Sequence, residues 1–358
     1  MSFDWARAWK LFITLNKKIY LIRSNKSKFG GAENYLSRLT NLLEIKNINH
    51  QILNSPFPKF LPSWLRSILF NLQLCFLKQD KFYFSLERIT CPDLYRAGDG
   101  VHKVFLSIEN KSRFNLLHPT YLYLEQKCFN NAKSIIANSK MVKTQIINTY
   151  DINPNKISVI YNGIEFKKFN YEKSFYKLSK EFSINKNQPI ILFVGSGFKR
   201  KGVEEFLRIV SELKTREIKA FVIGKENNIT YYQNLSKKLN INSRVFFTGP
   251  RTDVDDFYTI GDIFLFPTHY DPFSNVVLEA MNFQNVVFTT CTNGASEILD
   301  DDFIMNKPYD RKISKLIDSL FDNKINLDNE KIKNKRISEQ FSIENNLNRT
   351  LEVINKIE

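Results

Sequence analysis

The chain predicts an α/β protein made of two doubly wound domains, and three observations carry that prediction. Short runs rich in Ile, Val and Phe recur along its 358 residues with helix-length segments between most of them, as parallel strands joined by crossover helices require. The length exceeds what one hydrophobic core usually serves. Two of the runs enter glycine-bearing loops, at Gly30-Gly31 and at Gly195 to Gly202, where a strand passes into a helix and backbone can approach a ligand closely.

Residues 1 to 16 form a short amphipathic lead, with Phe3, Trp5, Trp9, Leu11 and Phe12 among Asp4, Arg7 and Lys10. It reads as an interfacial helix, a helix packed on the domain, or residues upstream of the true start, the last two being favoured. Regular structure is expected from Lys18-Ile19-Tyr20-Leu21-Ile22, through the loop Arg23 to Phe29, into Gly30-Gly31-Ala32-Glu33 and a helix reaching about Lys46. Further strands are expected at Ile48 to Leu53, Phe82 to Leu86, Ser134 to Ala137 and Ile157 to Tyr161. After a turn at Asn162-Gly163 and a lysine-rich stretch to about Gln188, a second set follows at Ile190 to Val194, Ala220 to Ile223, Val245 to Thr248, Ile263 to Phe266 and Val286 to Thr289. The boundary is set near residue 165. The expected domains are therefore 1–165 and 166–340, with the helix of 341–358 crossing back onto the first.

Composition narrows the class. A chain that is 43% hydrophobic and 14% aromatic has ample material for packed cores, which argues against extended disorder. The formal charge of +15 predicts attraction to a polyanion, either nucleic acid or an anionic membrane face. Neither a long uncharged apolar run nor the ordered regions of a secretory signal is seen, so a cytoplasmic protein that does not span a membrane is expected. Cys75, Cys91, Cys128 and Cys291 stand far apart, so neither a zinc site nor a disulfide framework is expected, in keeping with a reducing compartment.

The most informative stretch is Tyr270-Asp271-Pro272-Phe273-Ser274-Asn275-Val276-Val277-Leu278-Glu279-Ala280. It follows the buried strand Ile263 to Phe266 and begins a helix at Asn275. The first turn of that helix presents N–H groups without intrahelical partners, a seat for a phosphate near Phe273, Ser274 and Asn275. Asp271 and Glu279 supply acceptors for sugar hydroxyls. The plainer alternative is an Asp capping the helix and a Glu on a solvated face. A second stretch, Phe193-Val194-Gly195-Ser196-Gly197-Phe198-Lys199-Arg200-Lys201-Gly202, leads a strand through glycines and three successive cations into a helix. Arg200 and Lys201 suit a departing nucleoside diphosphate, whose charge grows as the sugar bond breaks. A solvated basic turn is the alternative there.

Taken together with Ala137-Asn138-Ser139, Val159-Ile160-Tyr161-Asn162-Gly163-Ile164 and Asn293-Gly294-Ala295-Ser296-Glu297, these motifs resemble those of retaining glycosyltransferases of family 4. The resemblance spans most of the chain. It implies the GT-B architecture, two Rossmann-like domains facing a central cleft, with the sugar nucleotide held mainly by the second domain and approached by Gly30 and Gly31 from the first. Glu279 matches the family's ribose-binding glutamate. Asp271 occupies the position that contacts the transferred sugar, where the family usually carries a glutamate, one methylene longer. Ser196 stands where many relatives carry an arginine, leaving Arg200 beside the matching Lys201 to share the diphosphate.

Tyr95-Arg96-Ala97-Gly98-Asp99-Gly100-Val101-His102 resembles a segment of lipopolysaccharide-core glucosyltransferases and their relatives. The likeness turns Asp99 and His102 toward the acceptor hydroxyl or donor sugar, with His102 a positioner rather than a base. It further implies transfer of a hexose, from a UDP-sugar, with retention, to a saccharide acceptor such as a lipid-linked core. No metal or other cofactor is expected, and Asp300-Asp301-Asp302 reads as a solvated turn. The run from Leu61 to Phe76 reads as an apolar helix, packed in a core by the favoured reading and docked on lipid headgroups by the other. Inner-face membrane association would follow from the second reading and the basic charge. The remaining alternatives are an inactive sugar-nucleotide-binding relative and a basic nucleic-acid-binding protein, the latter without a recognised motif.

Overall fold

The computed structural model of the protein describes residues 18–24, 31–109, 115–215 and 217–357. Residues 1 to 16, Gly30 and most of the Arg23 to Phe29 loop lie outside the described residues. The chain divides into two compact units, one comprising 1–138, 142–160 and 346–358 and the other 139–141 and 161–345.

In the first unit, strands β1 (Ile19–Ile22), β2 (His50–Leu53), β3 (Phe82–Ser85), β4 (Leu94–Ala97), β5 (Ser134–Ala137) and β6 (Ile157–Val159) form a sheet in the order β2-β1-β3-β4-β5-β6. Every pairing is parallel. The inner strands β3 and β4 are buried at every position, and β3 accordingly reads as a short, nearly continuous apolar run. The order reverses at β1: the chain runs to β2 on one side and returns to β3 on the other. Helix Ile343–Asn355 enters this unit from Asn346 onward, and Arg349 Nη2 donates to Val159 O at 2.9 Å.

The second unit holds β7 (Ile190–Val194), β8 (Lys219–Ile223), β9 (Val245–Gly249), β10 (Ile263–Phe266), β11 (Val286–Thr290) and β12 (Ile304–Met305) in the order β12-β11-β10-β7-β8-β9. These pairings too are all parallel. Its switch point lies between β7 and β10, so the loops after those two strands emerge side by side. A core of Phe193, Phe206, Phe221, Phe257, Phe264 and Phe288 packs on both sheet faces, each fully buried. Ring contacts such as Phe193–Phe206 at 5.7 Å and Phe221–Phe257 at 5.3 Å use the abundant aromatics.

Three features depart from expectation. Cys75 and Cys91, 16 positions apart, are joined by a disulfide with Cα atoms 5.7 Å apart. The end of helix Ser63–Phe76 packs against the segment after β3, an approach that sequence spacing does not reveal. The compartment argument drawn from unpaired cysteines falls with it. Strand β4 is unforeseen because Arg96 interrupts its apolar pattern, yet Arg96 is buried with its guanidinium 4.1 Å from the centre of the Tyr35 ring. The lysine-rich stretch after Gly163 contains helix Tyr171–Phe182, capped by the Asn170 side chain accepting from Lys173 N at 3.0 Å.

Candidate active site

The two loops at the switch point of the second unit are built into one another. Gly202 sits at φ +81°, and a Cβ there would lie 1.9 Å from Pro267 O, so only glycine lets the basic loop press against the loop after β10. Arg200 O then accepts from His269 N at 2.9 Å and from Thr268 Oγ1 at 3.1 Å. The Arg200 side chain returns the contact, Nη1 donating to Tyr270 O at 2.8 Å.

This latch brings the sequence-predicted cations to the predicted carboxylate. Lys201 Nζ pairs directly with Asp271 Oδ2, and Arg200 Nη1 lies 3.7 Å from the same oxygen. Burial lowers the Lys201 pKa, with the Asp271 charge opposing it. Burial works to raise Asp271, but Lys201 and Arg200 prevail and hold its carboxyl below the ordinary value. The result is two basic side chains grouped around one carboxylate at the carboxyl ends of β7 and β10.

Asp271 is fixed through its backbone as well. Its N–H donates to Thr292 O at 3.1 Å, and its carbonyl accepts from Gly294 N at 2.9 Å. A Cβ on Gly294 would fall 2.0 Å from Pro272 O. Buried Asn293 ties the turn together, its Oδ1 accepting from Ala295 N at 3.1 Å and Ser274 N at 3.3 Å. Helix Asn275–Asn282 starts directly above, with Ser274 as its N-cap residue making no side-chain cap bond. The Ser274 hydroxyl stands close enough to Asp271 to favour its charge, but it is buried without reaching hydrogen-bond geometry. A donor or acceptor brought to this helix start would therefore meet first-turn N–H groups and an unsatisfied hydroxyl.

Phe273 packs its ring 5.7 Å from that of Tyr161, and Asn162 Nδ2 donates to Asn275 Oδ1 at 2.7 Å, so both residues brace the turn. Glu279 lies further along the helix, half-buried, and its charge adds to the burial that raises the Tyr258 phenol. The structure thus gathers Arg200, Lys201, Asp271, Phe273, Ser274 and Asn275 into one neighbourhood and carries Glu279 on the helix that begins there.

The first unit holds Gly31, Asp99 and His102. Gly31 opens helix Gly31–Ile45. Asp99 follows β4, half-exposed, with Arg88 Nη1 3.9 Å away. His102 begins helix His102–Glu109, where its N–H donates to Glu125 Oε1 at 2.7 Å and its Nε2 meets His118 Nδ1 at 3.2 Å. Sequence reasoning missed the group around them. Fully buried Glu125 also accepts from Arg88 Nε at 2.9 Å and from the Tyr150 hydroxyl at 2.7 Å. Burial, then the Glu125 charge, pushes the Tyr150 phenol far up.

At the switch point of the same unit, Arg23 pairs with Glu33 at 2.8 Å and Glu87 at 3.1 Å, while Ser24 Oγ donates to Glu87 at 2.7 Å. Burial works against the Arg23 charge, but Glu87 and Glu33 outweigh it and raise its pKa. The only sequence signal for this cluster was the position of Arg23 and Glu33 on either side of the glycine turn.

Two parallel six-stranded sheets with helices form the GT-B architecture of solved glycosyltransferase structures. Residues 174–338 match the family described as glycosyl transferases group 1, and residues 100–168 match glycosyltransferase family 4, so the chain carries a domain of each kind. Among solved structures, WaaG, a glycosyltransferase involved in lipopolysaccharide biosynthesis, superposes with a TM-score of 0.79 at 16% identity, covering 94% of this chain and 99% of that one. Anabaena Alr3699/HepE in complex with UDP and glucose gives 0.73 at 17% identity, covering 95% and 100%. Both show the shared fold. By sequence, the capsular polysaccharide biosynthesis glycosyltransferase CapM of Staphylococcus aureus is 33% identical over 215 residues, 56% of this chain and 55% of the relative. The lipopolysaccharide glucosyltransferase WaaG of Escherichia coli K12 is 31% identical over 121 residues, 33% of this chain and 32% of the relative. The chain spans about half the length of the curated relatives it matches, 46% and 55% for two of them.

Proposed function

We propose that the protein transfers a hexose from a nucleoside-diphosphate sugar, a UDP-sugar by preference, to a saccharide acceptor with retention of anomeric configuration. The observation that carries the reading is the latched group of Arg200, Lys201 and Asp271 beside the start of helix Asn275–Asn282. Two cations and a helix start attract a diphosphate, and they strengthen their grip as negative charge accumulates on the leaving phosphate. Asp271 opposes the effect of burial on the Lys201 ammonium and aligns it, and its remaining lone pairs serve the hydroxyls of the sugar. Glu279 serves the ribose. A neighbour solved with UDP-glucose supports the choice of donor class.

Asp99 and His102 serve the acceptor side, His102 as a positioner held by Glu125 and His118. The diphosphate is neutralised by side chains, so turnover is expected to persist in a chelator. The acceptor is a lipid-linked saccharide of the lipopolysaccharide-core kind, met at the inner face of the cytoplasmic membrane. That choice rests on the basic charge and on relatives named for lipopolysaccharide and undecaprenol-linked substrates. Among the described residues no helix is long and apolar enough to cross a membrane.

The test is a thermal-shift screen of nucleotide sugars, followed by product analysis with the best donor, in EDTA and with the anomeric configuration read by NMR. Turnover giving the donor's own configuration is expected. An inverted product would contradict retention, and binding without turnover across donors and acceptors would favour an inactive relative.

A further inference from the structure

Helix Ser63–Phe76 carries apolar residues on both of its sides. At about 100° per residue, Phe70, Asn71 and Leu74 face one way and Leu65, Leu69, Leu72 and Phe76 form a stripe on the opposite side. The inward face is fixed at several points. Asn71 Oδ1 accepts from Thr90 N at 2.6 Å, the Tyr83 hydroxyl donates to Leu74 O at 3.1 Å, and Cys75 is bonded to Cys91. The outward stripe therefore cannot roll inward. Leu72 is 59% exposed and Phe76 86%, and Phe60, just before the helix, is 84% exposed. Leu65 and Leu69 of the stripe are half-buried, as are Trp64 and Ile68 beside it. A helix apolar on both sides needs a second covering surface.

Charge identifies what covers it. From Ile45 to Gln79 the chain contains no Asp or Glu; exposed Lys59 and half-buried Arg66 lie before and on the helix, Lys78 is paired with Asp93 at 3.0 Å, and the next acid along the chain is the exposed Asp80 beyond the helix. A second copy docked face to face would bring like charges together, whereas an anionic bilayer supplies both an apolar phase and counter-charge. At 14 residues the helix is too short to span and suits an in-plane position.

We infer that the Phe60 and Leu65-Leu69-Leu72-Phe76 face is the surface by which this protein seats on an anionic lipid membrane. It supplies the contact that a membrane-borne acceptor would need, yet it stands apart from the donor-site reading, because its test contains neither donor nor acceptor. The experiment is flotation of the full chain with phosphatidylcholine vesicles, with and without phosphatidylglycerol, across a salt series. The wild type should float with the anionic vesicles and lose binding as salt rises. Leu72→Gln with Phe76→Gln should reduce partitioning roughly ten-fold or more, and Lys59→Gln with Arg66→Gln should flatten the salt dependence. The melting temperature of each variant, read alongside, should stay near wild type because the substituted stripe residues are exposed. Equal binding of the Leu72/Phe76 variant, or no binding by the wild type, would overturn the proposal. So would light scattering that shows a wild-type dimer dissolved by the same pair, which would assign the face to a second copy.

Discussion

The two switch points share a topology and differ in charge. At β7 and β10, Arg200 and Lys201 face a single carboxylate, Asp271, leaving a net positive charge. At β1 and β3, one cation, Arg23, is held between Glu33 and Glu87, leaving a net negative charge. Each sheet creates a crevice where neighbouring strands run to opposite sides, but the loop side chains decide what the crevice attracts. On the reading proposed above, the crevice of the second unit, at β7 and β10, suits a diphosphate. That of the first unit, at β1 and β3, has a surplus of carboxylates and ties Arg23 and Ser24, just after β1, to Glu87, just after β3.

The largest effect is expected from Lys201→Ala. It removes a charge that would stabilise the leaving phosphate, so kcat/KM with the best donor should fall about 10²- to 10³-fold. It also leaves buried Asp271 with only the more distant Arg200, so stability in urea should fall by about 3 kcal/mol or more. An active, equally stable Lys201→Ala enzyme would erase the distinction between the two crevices. Gly202→Ala comes next, since the added methyl has no room against Pro267 O at a positive φ. A loss of about 2 kcal/mol or more is expected by denaturant titration, with activity falling as the latch loosens.

Asp271→Asn separates charge from shape. The folded carboxyl sits below its reference value of 3.8. Its contribution to stability is therefore complete above that value and is lost as pH falls through the lower folded pKa. The variant should lose stability at neutral pH and show a shallower further loss below about pH 4; a wild-type acid-unfolding profile would refute the charge role. Glu87→Gln should cost less, about 1–2 kcal/mol in a melt, and change kcat/KM by less than about ten-fold. A larger catalytic loss there would bring the first crevice into the chemistry. The smallest effect is a thiol count. Unreduced protein should show one reactive thiol when native, from exposed Cys291, and a second on denaturation as Cys128 is uncovered, while reduction should add Cys75 and Cys91.

Much of the second crevice was legible because its parts are local. The run Ile263 to Phe266, the turn at Asp271 and the helix from Asn275 follow one another, as do β7 and its basic loop. The Lys201–Asp271 pair was not legible, because it joins residues 70 positions apart and arises only where β7 and β10 lie side by side. The Arg23, Glu33 and Glu87 clamp was hidden for the same reason. Strand β4 was hidden by a buried arginine that ordinary hydropathy scores as exposed, and Tyr171–Phe182 by lysines on the solvent side of an amphipathic helix. Local chemistry could be read from the chain, whereas partnerships set by strand order could not.

The most direct measurement is calorimetric titration of the full chain with UDP and other nucleoside diphosphates, comparing the wild type with Lys201→Ala and Arg200→Ala. Saturable binding by the wild type, weakened about ten-fold or more in each variant, is the expected result. Wild-type protein that binds no nucleoside diphosphate, or variants that bind as tightly as it does, would contradict the assignment of the β7–β10 crevice to the donor.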